Sequence, residues 1–302
     1  MVRKARWTTT DIPPQNGRRV VITGTGGLGY EDALALARAG AEVVLAGRNL
    51  TKGAVAIQRI KAEVPGAKIG FEVLDLASLA SISAFAGRIS GPIDVLINNA
   101  AVMAVPQRLQ TADGFELQFG TNYLGHFALT GRLLPMLRGG RVVNVCSIAD
   151  RRGKIDFDDL QAMRSYQPWR AYSQSKLANL MFAVELQRRS AAQGWGLTSV
   201  AAHPGIARTD LVDNGIGRFS LVGLLTWAFG PLASQSPAQG ALPTLFACCS
   251  AKAEAGGYYG PDGVGGMRGY PAPSPIAASA QDAVQCARLW AASEALTGVV
   301  FV

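Results

Sequence analysis

A tyrosine and a lysine four residues apart, Tyr172 and Lys176, are the most reactive pairing in the sequence. In a helix, residues at i and i+4 lie one above the other, so the phenol and the ammonium would share one face. A free tyrosine has a pKa of about 10, and bringing it to about 7 requires roughly 4 kcal/mol of preferential phenolate stabilisation. A lysine cation about 4 Å away supplies roughly 4 kcal/mol at an effective dielectric constant of about 20. The spacing therefore predicts a tyrosine of lowered pKa that exchanges protons at neutral pH.

The same pair also arises by chance on an exposed helix, so the surrounding sequence decides its meaning. Ser147 ends an apolar run upstream of the pair, and Asn122 precedes that run. Both are candidate catalytic residues. Each also has a structural alternative, because Ser147 could simply end a strand and Asn122 could satisfy backbone groups in a helix.

Composition limits the class of protein. The chain has 302 residues, of which 49% are hydrophobic and 17% are charged, as in a globular protein with a large core. Four cysteines without paired spacing and two histidines predict neither a disulfide scaffold nor a metal centre. The polar residues 1–17 do not resemble a signal peptide, and the apolar stretch Phe219–Phe229 is too short to span a bilayer. We therefore expect a cytoplasmic protein without stable membrane insertion.

The net charge of +8 raises the question of nucleic-acid binding. The arginines and lysines are scattered along the chain and form no basic helix or stacking platform. Scattered charge is typical of a solvated surface, so we expect no nucleic-acid partner. An anionic small molecule is a better match for the positive charge.

Short β-branched runs alternate with helical patterns along most of the chain. This alternation predicts one doubly wound α/β domain over residues 1–302, a parallel sheet of about seven strands with helices on both faces. Two segments fall outside the pattern: an apolar segment at about 211–240, interpreted as a substrate lid, and a Gly- and Pro-rich surface loop at about 256–280. The strand candidates are Arg19–Thr23, Glu42–Ala46, Ile69–Leu74, Asp94–Asn98, Arg141–Ser147 and Thr198–Ala202.

A glycine-rich turn follows the first predicted strand. Gly24, Gly26 and Gly29 have the G-x-G-x-x-G spacing, which lets a pyrophosphate approach the N-terminus of the next helix. An ordinary glycine-rich turn is the alternative. Arg48 follows the second strand, where an arginine favours the 2′-phosphate of NADP(H), with Lys52 as a second candidate. Arg48 could also be merely exposed at a strand end.

These motifs together resemble the short-chain dehydrogenase/reductase family, and in particular its single-domain branch similar to retinol dehydrogenases. The resemblance runs from about Trp7 to Thr297. The motifs that carry it are the glycine turn, Asp75-Leu76, Asn98-Asn99-Ala100, Asn122-Tyr123-Leu124-Gly125-His126-Phe127, Ser147, Tyr172 with Lys176, and His203-Pro204-Gly205 followed by Thr209.

The resemblance implies an NADP(H)-dependent oxidoreductase that interconverts an alcohol with a ketone or aldehyde, with NAD(H) as the alternative cofactor. Tyr172 would be the general acid or base, Lys176 would lower its pKa, Ser147 would bind the substrate oxygen and Asn122 would hold a relay water. A homo-oligomer is also compatible with the resemblance. The implied cofactor contacts are Gly24, Thr25, Gly27, Leu28, Gly29, Arg48, Asn49, Asp75, Leu76, Asn99, Ala100, Tyr172, Lys176, Pro204, Ile206 and Thr209.

The sequence departs from the family pattern at two points. The glycine turn is one residue shorter than usual, and Ala101 replaces a glycine, which is harmless unless the backbone there needs a positive φ. A non-catalytic NADP(H)-binding sensor on the same fold therefore stays an alternative. A third functional hypothesis is a peripheral membrane enzyme, with the apolar segment Phe219–Phe229 in contact with the membrane instead of serving as a lid. Apolar residues in and near that lid favour an apolar small-molecule substrate: Met103, Trp169, Leu221, Leu225, Trp227 and Phe229.

Overall fold

A single mixed sheet forms the centre of the computed structural model, which describes residues 6–208 and 234–302. Its strand order is β3-β2-β1-β4-β5-β6-β7-β8; all neighbours pair in parallel except β7 and β8, which are antiparallel. The chain winds outward from β1 in both directions, so β1 and β4 flank the switch point at which such sheets bind ligands. The strands are β1 Arg19–Thr23, β2 Glu42–Gly47, β3 Ile69–Val73, β4 Val95–Asn98, β5 Arg141–Val145, β6 Thr198–Ala202, β7 Tyr258–Pro261 and β8 Pro271–Pro273.

Helices cover both faces of this sheet. Alternate strand residues point to opposite faces, so Val20 and Ile22 join one buried cluster while Val21 joins the other. Helices α1, α2 and α7 contribute to the first cluster, and α3, α5, α6 and α9 to the second. The helices are α1 Gly27–Arg38, α2 Leu50–Glu63, α3 Leu79–Arg88, α4 Leu117–Phe119, α5 Gly125–Leu137, α6 Pro168–Gln193, α7 Pro237–Cys249, α8 Ala278–Gln281 and α9 Ala283–Thr297.

The predicted doubly wound α/β fold is confirmed. Six strands lie where their apolar runs indicated, with β1 and β6 matching at both ends. The parallel part of the sheet has the expected seven strands, and the antiparallel edge strand β8 is an addition. Asp282 is the N-cap of α9, and its carboxylate accepts hydrogen bonds from two N–H groups of the first turn.

The prediction of a surface loop at 256–280 is wrong. This segment contains β7, β8 and α8, and all four residues of β7 are buried. Gly260 lies within β7, and a Cβ there would overlap the ring of His203, so the glycine permits a close approach and does not mark a loop. Pro271 and Pro273 are tolerated because β8 is an edge strand.

Most of the predicted lid lies outside the described residues. Within 234–240 the chain enters α7, whose N-cap Ser236 accepts a hydrogen bond from Gln239 N. Leu221, Leu225, Trp227 and Phe229 fall in the undescribed part, as does Thr209. In the described part of the chain, no helix combines the length and apolarity needed to cross a membrane.

Candidate active site

The glycine turn between β1 and α1 is tightly packed against the end of β4. Gly24 has a positive φ of 94°, and Gly26 is the N-cap of α1. A Cβ at Gly29 would lie only 2.6 Å from Gly24 O and 2.7 Å from Asn99 Nδ2. The shortened turn thus still brings the unpaired N–H groups of the α1 N-terminus to the switch point, which fits the pyrophosphate of a dinucleotide.

Several of the predicted cofactor contacts lie along the same edge of the sheet. Arg48 is exposed directly after β2, and the methyl group of Thr25 lies beside Gly47 at the end of that strand. Asn49 is the N-cap of α2, where its Oδ1 accepts a hydrogen bond from Lys52 N at 2.9 Å. The Asn49 side chain therefore caps α2. Arg48 forms no ion pair with any of the described residues.

Asp75 and Leu76 follow β3 at this edge. The Asp75 carboxylate accepts a hydrogen bond from Ala77 N at 3.0 Å, in a local Asx turn. Asp75 does not cap the next helix, because Ser78 is the N-cap of α3 and accepts a hydrogen bond from Ser81 N. Leu76 is buried.

A buried hydrogen-bond network starts at the end of β1. Thr23 Oγ1 accepts hydrogen bonds from the N–H groups of Asn99 and Ala100, each at 2.9 Å. His126 Nδ1 lies 2.8 Å from Asn122 O, and since a carbonyl can only accept, this nitrogen carries the proton. His126 Nε2 is then an acceptor for Thr23 Oγ1–H at 2.9 Å. Burial lowers the pKa of His126 to about 4, so the ring is neutral.

Asn122 lies in a π-helical turn, Gly120–Leu124, that leads into α5. Its side chain accepts a hydrogen bond from Val102 N at 2.8 Å and donates to Val102 O and to Ser175 Oγ, both at 2.9 Å. Such turns are frequent at functional sites because they redirect side chains within a helix. Ala101 is not among the described non-glycine residues of positive φ, so its methyl group does not strain the backbone.

Ser147, Tyr172 and Lys176 meet at the carboxyl end of β5. Tyr172 is 4% exposed on α6, and Ser147 follows β5 and hydrogen-bonds the phenol. Lys176 is 3% exposed; its Nζ donates to Val145 O at 2.9 Å and lies 5.9 Å from the centre of the Tyr172 ring. The i, i+4 arrangement that the spacing predicted is therefore present.

The expected lowering of the Tyr172 pKa is wrong for this structure. Burial raises the pKa of Tyr172 to about 12, the Ser147 hydrogen bond opposes the shift, and the charge of Asp150 adds to it. Burial also lowers the pKa of Lys176 to about 8. Both groups are buried and the Lys176 ammonium donates to a backbone carbonyl, so desolvation dominates the pKa of Tyr172.

The segment that follows β6 is held by hydrogen bonds to Gln235 and Met267. Gln235 Nε2 donates to Pro204 O at 2.7 Å, and Ile206 N donates to Met267 O at 2.8 Å. His203 is buried; its Nδ1 accepts a hydrogen bond from Gly205 N, which leaves Nε2–H to donate to Ser274 Oγ at 3.0 Å. Both ring nitrogens of His203 are thus engaged by groups of the protein.

Sequence reasoning missed two residues of the site. Asp150, three residues after Ser147, is buried beside the Tyr–Lys pair, and the hydroxyl of Tyr258 on β7 donates to it. An acidic residue so soon after Ser147 was the available signal. Tyr258 gave none, because its partner is 108 residues away in sequence.

Comparison with known proteins agrees with this geometry. Residues 18–216 match the family described as short chain dehydrogenase. The chain is 40% identical over 294 residues to retinol dehydrogenase 13 of Mus musculus, which covers 94% of this chain and 84% of that protein. It is also 40% identical over 260 residues to polyprenol dehydrogenase of Homo sapiens, 82% of this chain and 78% of that protein.

This chain belongs to the short-chain dehydrogenase family. The resemblance to retinol dehydrogenases is confirmed, and the protein is an oxidoreductase that acts on alcohol or carbonyl groups with a nicotinamide cofactor. A crystal structure of an uncharacterised Mycobacterium paratuberculosis protein aligns with a TM-score of 0.83 and 41% identity, over 99% of this short-chain dehydrogenase and 100% of that chain.

Proposed function

We propose that this short-chain dehydrogenase is an NADP(H)-dependent enzyme that interconverts an apolar alcohol with its ketone or aldehyde, with Tyr172 as general acid and base. The observation that carries the proposal is the cluster of the partly buried Ser147 with the buried Tyr172 and Lys176, at the sheet edge that also carries the glycine turn. A positioned phenol and hydroxyl beside a dinucleotide site are suited to stabilising a developing alkoxide. A protein that only bound the nucleotide would have no use for them.

The nicotinamide cofactor, when bound, supplies or accepts the hydride. During carbonyl reduction the Tyr172 hydroxyl donates its proton to the substrate oxygen, while Ser147 Oγ–H holds the same oxygen in place. The raised pKa of Tyr172, about 12, keeps the phenol protonated until the oxygen becomes basic. In the oxidation direction Ser147 and the Lys176 ammonium stabilise the phenolate that removes the proton.

The chain's own residues also favour a particular cofactor. Arg48 is exposed at the end of β2, beside the turn that would hold the pyrophosphate, and its side chain can reach a 2′-phosphate. Asn122, held by Val102 and Ser175, would position the relay on the far side of Lys176. The position of Arg48 after β2 is the feature that supports NADP(H) over NAD(H).

An apolar substrate is supported by the surface around Tyr172. The Trp169 ring stands edge-on to the Tyr172 ring, with the ring centres 5.9 Å apart, and is 45% exposed. The relatives are named for retinol and polyprenol, which are both apolar alcohols. We propose that this chain accepts a substrate of the same general class.

The test is turnover of NADPH with a panel of ketones and aldehydes of increasing apolar length. The proposal predicts NADPH consumption that rises with chain length. The alternative, a non-catalytic sensor, predicts tight NADPH binding and no NADPH consumption with any carbonyl compound of the panel. Saturable NADPH binding followed by no turnover would therefore favour the sensor.

A further inference from the structure

A buried carboxylate lies beside the Tyr–Lys pair without a role in the reaction described so far. Asp150 is 1% exposed, in the 3-10 helix Ile148–Arg152 that follows Ser147. Its Oδ2 accepts a hydrogen bond from the hydroxyl of Tyr258. Its Oδ1 is buried, and no described residue makes a hydrogen bond of normal geometry to it. A carboxylate with a free buried oxygen is costly to ionise, so the neighbouring charges decide its state.

Several elements present titratable or charged groups to this carboxylate. Burial raises the pKa of Asp150 to about 6, against the hydrogen bond of Tyr258 and the positive charges of Arg151 and Lys176. Asp150 is therefore ionised above about pH 6. The facing groups are Cys146 after β5, Arg151 on the same 3-10 helix, Tyr172 and Lys176 on α6, Tyr258 on β7, and His203, whose ring lies 5.2 Å from that of Tyr258.

Lys176 depends on this negative charge. Burial lowers the pKa of Lys176 to about 8, and two groups oppose that shift, Cys146 and Asp150. Burial raises the pKa of the Cys146 thiol well above its ordinary value, so Cys146 carries no charge near neutral pH. Asp150 is thus the anion that holds the proton on Lys176.

The same charge acts on the phenol. A negative group near Tyr172 disfavours the phenolate, and Asp150 raises the pKa of Tyr172 accordingly. A protonated phenol next to a charged lysine is the state that carbonyl reduction requires. Asp150 therefore favours both the protonated phenol of Tyr172 and the charged ammonium of Lys176.

We propose that Asp150 is a positioning residue whose carboxylate, held by Tyr258, keeps Lys176 charged and Tyr172 protonated, and so sets the pH range of carbonyl reduction. The inference rests on the proposed function, because the charge of Lys176 matters to turnover only if Tyr172 is the acid. Asp150 acts through these two residues and needs no contact with substrate.

The test compares pH profiles of kcat/KM for carbonyl reduction. Asp150→Asn removes the charge but leaves an acceptor oxygen for Tyr258. We expect the alkaline limb of its profile to move to lower pH by roughly half a unit or more, because Lys176 loses its proton earlier. Tyr258→Phe raises the pKa of Asp150 and should shift the limb in the same direction by less. The matched control is Asp158→Asn, which removes the same charge at an exposed position and should leave the profile unchanged.

Unfolding by urea supplies a readout that needs no activity. The folded state raises the pKa of Asp150, so its contribution to stability is full below about pH 4 and is lost as pH rises through about 6. The stability of wild type relative to Asp150→Asn should therefore fall across that window.

If turnover occurs but the alkaline limbs of wild type and Asp150→Asn coincide, the role of Asp150 is refuted and the proposed function stands. If no carbonyl is reduced, the role in turnover falls with the proposed function, and a flat unfolding difference would also refute the buried ionisation.

Discussion

Asn122 Nδ2 lies 2.9 Å from Ser175 Oγ, and Ser175 Oγ in turn donates to Tyr172 O at 2.8 Å. The π-helical turn before α5 is thereby joined to the helix that carries the Tyr–Lys pair. The Asn122 side chain also bonds both backbone groups of Val102 after β4. One amide thus fixes the relative position of two helices and a strand end around the proposed reacting groups.

Asn122→Ala should destabilise the protein and slow turnover. The substitution leaves the part-buried N–H and C=O of Val102 without their partners. An unsatisfied buried group costs roughly 1–3 kcal/mol, so we expect a loss toward the lower end of that range. Urea unfolding measures the loss, and Ser175→Ala, which removes only one of the three contacts, should cost less. An Asn122→Ala protein as stable as wild type would show that the amide is not holding these elements together.

Arg48→Ala should weaken NADPH binding and spare NADH. A charge-assisted hydrogen bond to a phosphate contributes roughly 1.5–3 kcal/mol, so we expect a roughly 10- to 150-fold loss of NADPH affinity. Fluorescence titration with both cofactors checks this. Arg132→Ala, an exposed arginine on α5, is the matched control and should bind as wild type does. Equal losses of affinity for NADPH and NADH would show that Arg48 does not bind the 2′-phosphate.

His126 should make the fold sensitive to acid. Its pKa falls from an ordinary 6.5 to about 4 on folding, because burial disfavours the charged ring. A group with a lowered folded-state pKa stabilises fully above its unfolded pKa and loses that contribution as pH falls, by roughly 3 kcal/mol between pH 6.5 and 4. The stability of wild type relative to His126→Gln should therefore decrease over this window.

A control distinguishes this titration from ordinary destabilisation. Leu129→Ala removes a fully buried side chain from the same helix without changing a titratable group. Its stability deficit relative to wild type should be constant between pH 6.5 and 4. A constant deficit for His126→Gln as well would mean that the ring does not titrate with the lowered pKa.

Most of the fold could be predicted because its signals are local. Continuous apolar runs such as residues 20–22 are buried on both faces of the sheet, and such runs are typical of parallel strands covered by helices. The glycines and prolines of the segment 256–280 predict a loop, whereas the segment contains β7, β8 and α8. Gly260 is needed only because the His203 ring occupies the place of a side chain, and that contact joins residues 57 positions apart.

The candidate site could be predicted in its members but not in its electrostatics. Residues at i and i+4 lie on the same face of any helix, so the placement of Lys176 beside Tyr172 follows from the sequence alone. Their burial is a property of the whole fold, and burial determines both pKa values here. The hydrogen bond between Asp150 and Tyr258 could not be predicted, because Tyr258 lies on β7, in a segment whose glycines and prolines favour a loop.

The central claim is that the Tyr172 hydroxyl supplies the proton. The most direct measurement is the NADPH oxidation rate of Tyr172→Phe with a carbonyl that wild type reduces, alongside NADPH titration of both proteins. We expect turnover to fall by roughly 10²- to 10⁴-fold, the usual contribution of a positioned general acid, with NADPH affinity unchanged. A Tyr172→Phe enzyme that retains wild-type turnover would contradict the account.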